Sequence, residues 1–256
     1  MIRLVFIVSI MLLAVSCEED AIAPQAGSSY VVEAYIYAGK PIDHVKVTHV
    51  DPNGSWVSEA VSDADVEISQ GGITHQLGSV VNCPACYGSS DSTAVFDAGD
   101  TLRLTIKKGN TEMRAIAAFP PAISGLVAST EYTQLAFHDA NEPVLTLSWD
   151  AIPGYKYALF INSLEENPKP IWSSIPPQEH LSPFQGALEE HSAKIFVEHL
   201  STFGINEIYV TAVSSSYASF IRRSNVPNAG VPFGNIENGE GIFAAFNGSA
   251  VSLLVE

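Results

Sequence analysis

Alternation of polar and apolar residues with a period of two is the feature that most constrains this fold. Residues 30–37 are rich in aromatic and β-branched side chains, and Leu102, Leu104 and Ile106 share one face of the segment 101–107. Successive side chains of a strand point to opposite faces, so this pattern predicts half-buried β-strands and an all-β protein. Further strands are predicted at residues 44–50, 64–68, 73–80, 111–119, 126–129, 144–149, 155–162, 193–197, 207–213, 241–246 and 250–255.

A hairpin turn is predicted between the last two strands. Asn247-Gly248 is a dipeptide that tolerates the positive φ angles of a two-residue β-hairpin. The strands at 241–246 and 250–255 are therefore expected to pair with each other. Residues 217–223 have a helical pattern instead.

A proline-rich boundary, Phe119-Pro120-Pro121, separates two groups of strands. Proline has no backbone N–H to donate, so it interrupts strand pairing. We predict two β-sandwich-like domains, an N-terminal one over residues 30–119 and a second one with a C-terminal extension over residues 120–256.

Part of the second domain resembles a fibronectin type III domain. Trp149 ends one predicted strand, a turn follows at 150–154, and an aromatic strand returns over 155–162, like the B and C strands of that family. Residues 193–197 and 207–213 match its later E and F strands. The resemblance implies a buried Trp149, and the proline-rich stretch 167–186 departs from the family pattern.

The first sixteen residues have the pattern of an export signal. Arg3 precedes an apolar run over residues 4–15, which is shorter than the roughly 20 residues that a membrane-spanning helix needs. Ala14-Val15-Ser16-Cys17 resembles the lipobox of bacterial lipoproteins. The resemblance implies that the chain is cleaved before Cys17 and that this cysteine carries acyl groups such as palmitate. Residues 1–16 are therefore predicted to be a lipoprotein signal peptide. An ordinary secretory signal with an incidental Cys17 is the alternative.

Residues 17–29 are predicted to form an acidic tether. Glu18, Glu19 and Asp20 directly follow the lipobox cysteine. An acidic cluster at this place resembles the surface-export signal of Bacteroidota lipoproteins, which implies a lipid-anchored protein of the outer membrane that faces outward. A tether that is acidic only for solvation is the alternative.

Nearly the whole mature chain resembles Bacteroidota lipoproteins that carry a domain of unknown function. The resemblance rests on the lipobox cysteine and on the segments 30–36, 61–69, 98–104 and 235–243. These motifs consist of turn glycines and alternating strands, so they imply fold and location. The family has no established activity, so it assigns no catalytic residue and implies an envelope role beside outer-membrane transport systems.

The charge balance restricts the partners. The chain has 12 basic and 28 acidic residues, a formal net charge of −16, yet only 16% of its residues are charged and 46% are apolar. This composition is typical of a folded globular protein rather than a disordered acidic chain. An acidic surface repels phosphate backbones, so nucleic acid is not an expected partner.

Cys83-Pro84-Ala85-Cys86 is the one chemically suggestive motif inside the fold. With Cys17 lipidated, two cysteines remain in an oxidising compartment, so a disulfide between Cys83 and Cys86 that staples an exposed loop is our preferred interpretation. A redox dithiol needs a helix N-terminus beside it, and a structural zinc site needs four ligands. Free thiols, a metal and a redox role stay open as alternatives.

Several other residues are candidates for binding or modification. Trp56 and Trp172 lie in predicted loops and are candidate stacking platforms for a glycan, or else caps over the core. Ser92 follows an aspartate in a pattern that resembles a Bacteroidota O-glycosylation site. If residues 189–200 were helical, His191 and His199 would lie roughly on one face as possible metal ligands, although surface histidines are the simpler interpretation.

No residue pattern marks a catalytic site, a metal site or a cofactor site. The sequence lacks Gly-x-Ser-x-Gly, Gly-x-Gly-x-x-Gly and Walker motifs. We therefore predict a surface-anchored, non-enzymatic lipoprotein that binds a protein or glycan partner or serves as an accessory to an outer-membrane transport system. An envelope hydrolase that uses carboxylates or a metal is one alternative, and a structural spacer is the other.

Overall fold

The alternating segments form β-strands in the computed structural model, which describes residues 30–42, 45–50, 58–91, 95–99, 101–139, 141–172, 183–224 and 234–256. The strands of the first half are β1 Tyr30–Tyr37, β2 Val45–Val50, β3 Ser58–Ala60, β4 Asp65–Gln70, β5 Ile73–Val80, β6 Cys83–Gly88, β7 Thr101–Lys108 and β8 Thr111–Ala118. Those of the second half are β9 Val127–Ala128, β10 Tyr132–Thr133, β11 Leu145–Ser148, β12 Lys156–Ser163, β13 Pro183–Leu188, β14 Ser192–Ile195, β15 Gly204–Val213, β16 Glu240–Phe246 and β17 Gly248–Val255, with helix α1 Ser215–Ser224 after β15. The prediction of an all-β fold is confirmed.

The first unit is a nine-stranded sheet in the order β16-β1-β2-β6-β5-β4-β7-β8, with β3 paired to β2. Strand β5 belongs to both halves of this sheet, because its residues 73–77 pair with β4 and its residues 78–80 pair with β6. The sheet therefore folds over on itself. Apolar side chains from both halves, such as Val32, Val47, Leu104 and Met113, are buried together in one core.

The second unit packs a three-stranded sheet, β14-β11-β9, against a five-stranded sheet, β10-β17-β15-β12-β13. The segments that resemble strands B and E of a fibronectin type III domain are β11 and β14, which pair with each other. Those that resemble strands C and F are β12 and β15, which pair in the opposite sheet. Trp149 is 3% exposed and meets the ring of Tyr157 edge-on in the core between the sheets, as predicted. The unit has a fibronectin type III-like β-sandwich fold.

The hairpin predicted at Asn247-Gly248 is wrong. Strand β16 pairs in parallel with β1 of the first unit, whereas β17 pairs with β15 of the second unit. The reason lies in the burial of β16, since Ile242, Phe243 and the following residues to Phe246 are apolar and buried on both faces. A strand of this kind needs cover on each side, which a two-stranded hairpin does not provide. Sheet pairing therefore crosses the predicted domain boundary between residues 119 and 120.

A cluster of mostly aromatic side chains joins the two units, and we call it the junction cluster. Tyr37 comes from β1, Phe160 from β12, Tyr209 from β15, Tyr217 from α1 and Phe246 from β16. The ring of Phe246 lies 4.9 Å from that of Tyr217 and 5.3 Å from that of Phe160, between ring centroids. Burial of so many rings makes the junction an extension of the core rather than a flexible linker.

The helix predicted near residue 217 is present as α1. Among the described residues, no helix is long and apolar enough to cross a membrane.

Candidate binding surface

Four exposed apolar side chains form a continuous row across the outer face of the five-stranded sheet. Ile205 on β15 is the direct partner of Leu254 on β17, and Leu254 is the direct partner of Tyr132 on β10. Leu164 extends the row, because its backbone N–H donates to the carbonyl oxygen of Ile205 at 2.8 Å. Directly paired residues project to the same face of a sheet. We call Tyr132, Leu254, Ile205 and Leu164 the apolar row.

All members of the apolar row are accessible to solvent. Tyr132 is 45% exposed, Leu254 is 37%, Ile205 is 42% and Leu164 is 54%. On β15 and β17 the alternate, inward-facing residues Asn206, Leu253 and Val255 are buried. Single exposed apolar side chains are ordinary on protein surfaces, but a contiguous set in register is typical of an interaction site.

The apolar row was not predicted from the sequence. One signal was present, because the adjacent residues Leu253 and Leu254 of a strand must point to opposite faces, so one of them has to lie outside the core. Ile205 was missed because the predicted strand began at residue 207, whereas β15 begins at Gly204. The alignment of the row depends on strand register, which the alternation pattern does not determine.

Carboxylates border the apolar row. The Glu165 Oε1 atom accepts a hydrogen bond from the backbone N–H of Ile205 at 2.9 Å, and Glu256 Oε2 accepts one from the Tyr132 hydroxyl at 3.0 Å. The bond to Glu256 raises the pKa of the Tyr132 hydroxyl, and partial burial adds to the effect. The backbone carbonyl oxygen of Glu131, the residue before Tyr132, accepts the N–H of Leu254.

Glycine at position 204 allows Glu165 to lie beside the row. Gly204 has a φ of +89°, a conformation that other residues adopt only with strain. A Cβ atom at this position would also collide with the Glu165 carboxylate. The glycine therefore holds a charged group close to the backbone of Ile205.

An ion pair separates the apolar row from the junction cluster. Lys40 of the loop after β1 lies 3.4 Å from Glu207 on β15, and its ammonium group sits over the rings of Tyr37 and Tyr209. Glu207 is two residues from Ile205 and so projects from the same face. The positive charge of Lys40 is thus already engaged by a carboxylate.

Cys83 and Cys86 are joined as a disulfide, with their Cα atoms 5.2 Å apart. The predicted exposed loop is wrong, because the motif lies in strand β6. There Cys86 is fully buried and is the strand-pairing partner of Lys46 on β2. Burial of Cys86 and the adjacent Tyr87 holds this segment against the core as a strand. The Tyr87 hydroxyl also donates to the carbonyl oxygen of Val61 at 2.8 Å. The strand was not predicted because Pro84 interrupts its alternation of polar and apolar residues.

The other sequence candidates are dispersed. Cys17, Trp56 and Ser92 lie outside the described residues. Trp172 is 38% exposed, and its indole N–H donates to the carbonyl oxygen of Leu200 at 2.9 Å. That bond holds the ring against the second unit and leaves part of its surface open to solvent.

The proposed histidine arrangement does not form, because the segment that contains it is not a helix. His191 precedes strand β14, and His199 ends a short 3₁₀ turn over residues 197–199. The His199 Nδ1 atom accepts a hydrogen bond from the backbone N–H of Phe196 at 3.0 Å. Within the part of the chain that the structure describes, no group of three His, Cys, Asp or Glu side chains is placed to hold a metal ion.

Comparisons with known proteins assign no family to the chain. No protein-family model matches the chain, and no curated protein matches it. Among solved structures, the chain is similar to the crystal structure of chicken CNTN1 FN1-FN3 domains, with 11% sequence identity and a TM-score of 0.24. The alignment covers 71% of this chain and 59% of the other, so this chain spans less than two thirds of that structure's length.

Proposed function

We propose that this protein is a lipid-anchored, outward-facing lipoprotein of the Bacteroidota type that binds a partner protein in the cell envelope. The observation that carries the proposal is the apolar row, four exposed side chains held in register on a rigid sheet and bordered by carboxylates. Such a surface favours binding over chemistry, since catalysis requires titratable groups that converge on one point. Partner binding also agrees with the envelope role that the resemblance implies.

The anchor follows from the lipobox resemblance at Cys17. Acyl chains contribute about 0.8 kcal/mol per buried methylene, so two or three chains bind stably to a bilayer. An extended residue spans at most about 3.5 Å, so a tether of residues 17–29 could reach at most about 45 Å. That reach would allow the sheets to lie outside the headgroup layer. The β-structured body is thereby available to a partner in or above the membrane.

Membrane fractionation of two cysteine variants tests the anchor. Cys17→Ser should move the protein from the membrane fraction to the soluble fraction and abolish incorporation of labelled palmitate. The double variant Cys83→Ser/Cys86→Ser is the matched control, and it should remain in the membrane fraction because its lipid site is intact. Retention of Cys17→Ser in the membrane would contradict the proposal.

A further inference from the structure

We propose that the apolar row is the docking surface for a cationic segment of a partner protein, one that presents apolar side chains between lysine or arginine residues. This inference rests on the proposed binding function and names its surface and the chemistry of the partner. It uses side chains that neither the lipobox nor the cysteine motif involves.

The dimensions of the row suit a short peptide segment. Neighbouring strands lie about 4.8 Å apart, so the four members, from Tyr132 to Leu164, span about 14 Å. Alternate side chains of an extended partner strand, about 6.6 Å apart, would place two or three apolar groups along this length. Tyr132, Leu254 and Ile205 lie on paired strands of the second unit's sheet, and Leu164 directly follows β12, so the row is preorganised and little conformational entropy is lost on binding.

The charge around the row selects the sign of the partner. Glu165 and Glu256 accept hydrogen bonds from groups of the row itself. Of the ion pairs between described residues, none involves Glu165 or Glu256, and nearby Lys40 is paired with Glu207. Lysine or arginine side chains of a partner would therefore meet carboxylates whose charge is not neutralised by an ion pair.

The same charges disfavour two other occupants. A second copy would bring its own carboxylate border against this one, in a chain whose formal net charge is −16. An anionic lipid surface would be repelled for the same reason. Complementarity therefore points to a positively charged protein segment.

Peptide titrations test the proposal with synthetic probes. The protein is the full chain with Cys17→Ser, and the probes are fluorescent peptides of alternating lysine and leucine, lysine and serine, or glutamate and leucine. The lysine–leucine peptide should bind at least tenfold more tightly than either other peptide. Equal affinity for the lysine–serine peptide would overturn the apolar component, and equal affinity for the glutamate–leucine peptide would overturn the charge preference.

Two variants locate the binding site. Ile205→Ser/Leu254→Ser should weaken binding of the lysine–leucine peptide at least tenfold, while Ile116→Ser, which alters an exposed isoleucine on β8, should leave it within twofold. All positions are exposed, so the variants should keep the wild-type melting temperature. If the lysine–leucine peptide bound the double variant and Ile116→Ser with similar affinity, the proposal would be overturned. Dimerisation that is abolished by the double variant, or adsorption to anionic vesicles, would also overturn it in favour of the other occupants.

Photo-crosslinking in cells separates this inference from the proposed function. A photoreactive residue at position 205 of the anchored chain should crosslink to an envelope protein, and one at position 116 should not. Crosslinking at position 116 alone would refute the docking surface and retain the binding function. Absence of crosslinks at both positions, together with no peptide binding, would count against both.

Discussion

Replacing Phe246 with alanine tests whether the two units unfold as one. This side chain is fully buried in the junction cluster, with ring centroids 5.1 Å from Tyr37, 5.3 Å from Phe160 and 4.9 Å from Tyr217. Truncation of a buried phenylalanine to alanine costs about 3–5 kcal/mol, because apolar contact is lost and a cavity remains. In a chain of this size, each kcal/mol lowers the melting temperature by about 2–4 °C, so we expect a fall of about 6–20 °C.

Calorimetry and hydrogen exchange provide the assay. Because Phe246 contacts rings from both units, Phe246→Ala should shift a single thermal transition and raise the exchange rates of β1 and β15 amides together. The matched control is Ile116→Ala, which alters a half-exposed side chain and should change the stability by less than about 0.5 kcal/mol. Two separate transitions, of which only one moves, would refute the reasoning, as would a shift no larger than that of the control.

Two further predictions concern the cysteines and the buried tyrosines. Without reductant, mass spectrometry should find Cys83 and Cys86 resistant to alkylation in the isolated protein; two modified thiols would contradict the disulfide. Burial raises the pKa of Tyr209 to about 12, so the folded state retains this proton longer than the unfolded state, whose tyrosines titrate near pH 10. The raised pKa of Tyr209 therefore contributes about 2–3 kcal/mol to the free energy of unfolding. This contribution is complete below pH 10 and is lost as the pH rises towards 12. Tyr209→Phe should flatten this part of the stability curve measured by urea unfolding, and an unchanged slope would disprove the assignment.

Strand positions were largely predictable because alternation is a local property. Strands β1 and β5 have the predicted bounds, and most others differ by one to three residues. Strands β3, β6, β10 and β13 were missed. In β6, a proline and two cysteines obscure the alternation. Burial of Trp149 was also predictable, because its position between a strand and a turn resembles a family in which that residue is in the core.

Pairing between distant segments was not predictable from local patterns. Asn247-Gly248 favours a hairpin by its backbone preferences, but burial of both faces of β16 outweighs that preference. The cost of an unsatisfied apolar face exceeds the small energy that a good turn provides. The Asn235 side chain then holds β16 to β8, as its amide group donates to the carbonyl oxygens of Ile116 and Phe243.

The sequence by itself determined the strand class, the acidic charge, the export signal pattern and the pair of cysteines inside the fold. Each of these depends on residue type and on spacing along the chain. Only the tertiary structure decided that β16 completes the first unit's sheet and that Ile205, Leu254 and Tyr132 align in one exposed row. These features depend on register between strands far apart in the chain, and packing of the whole core selects that register.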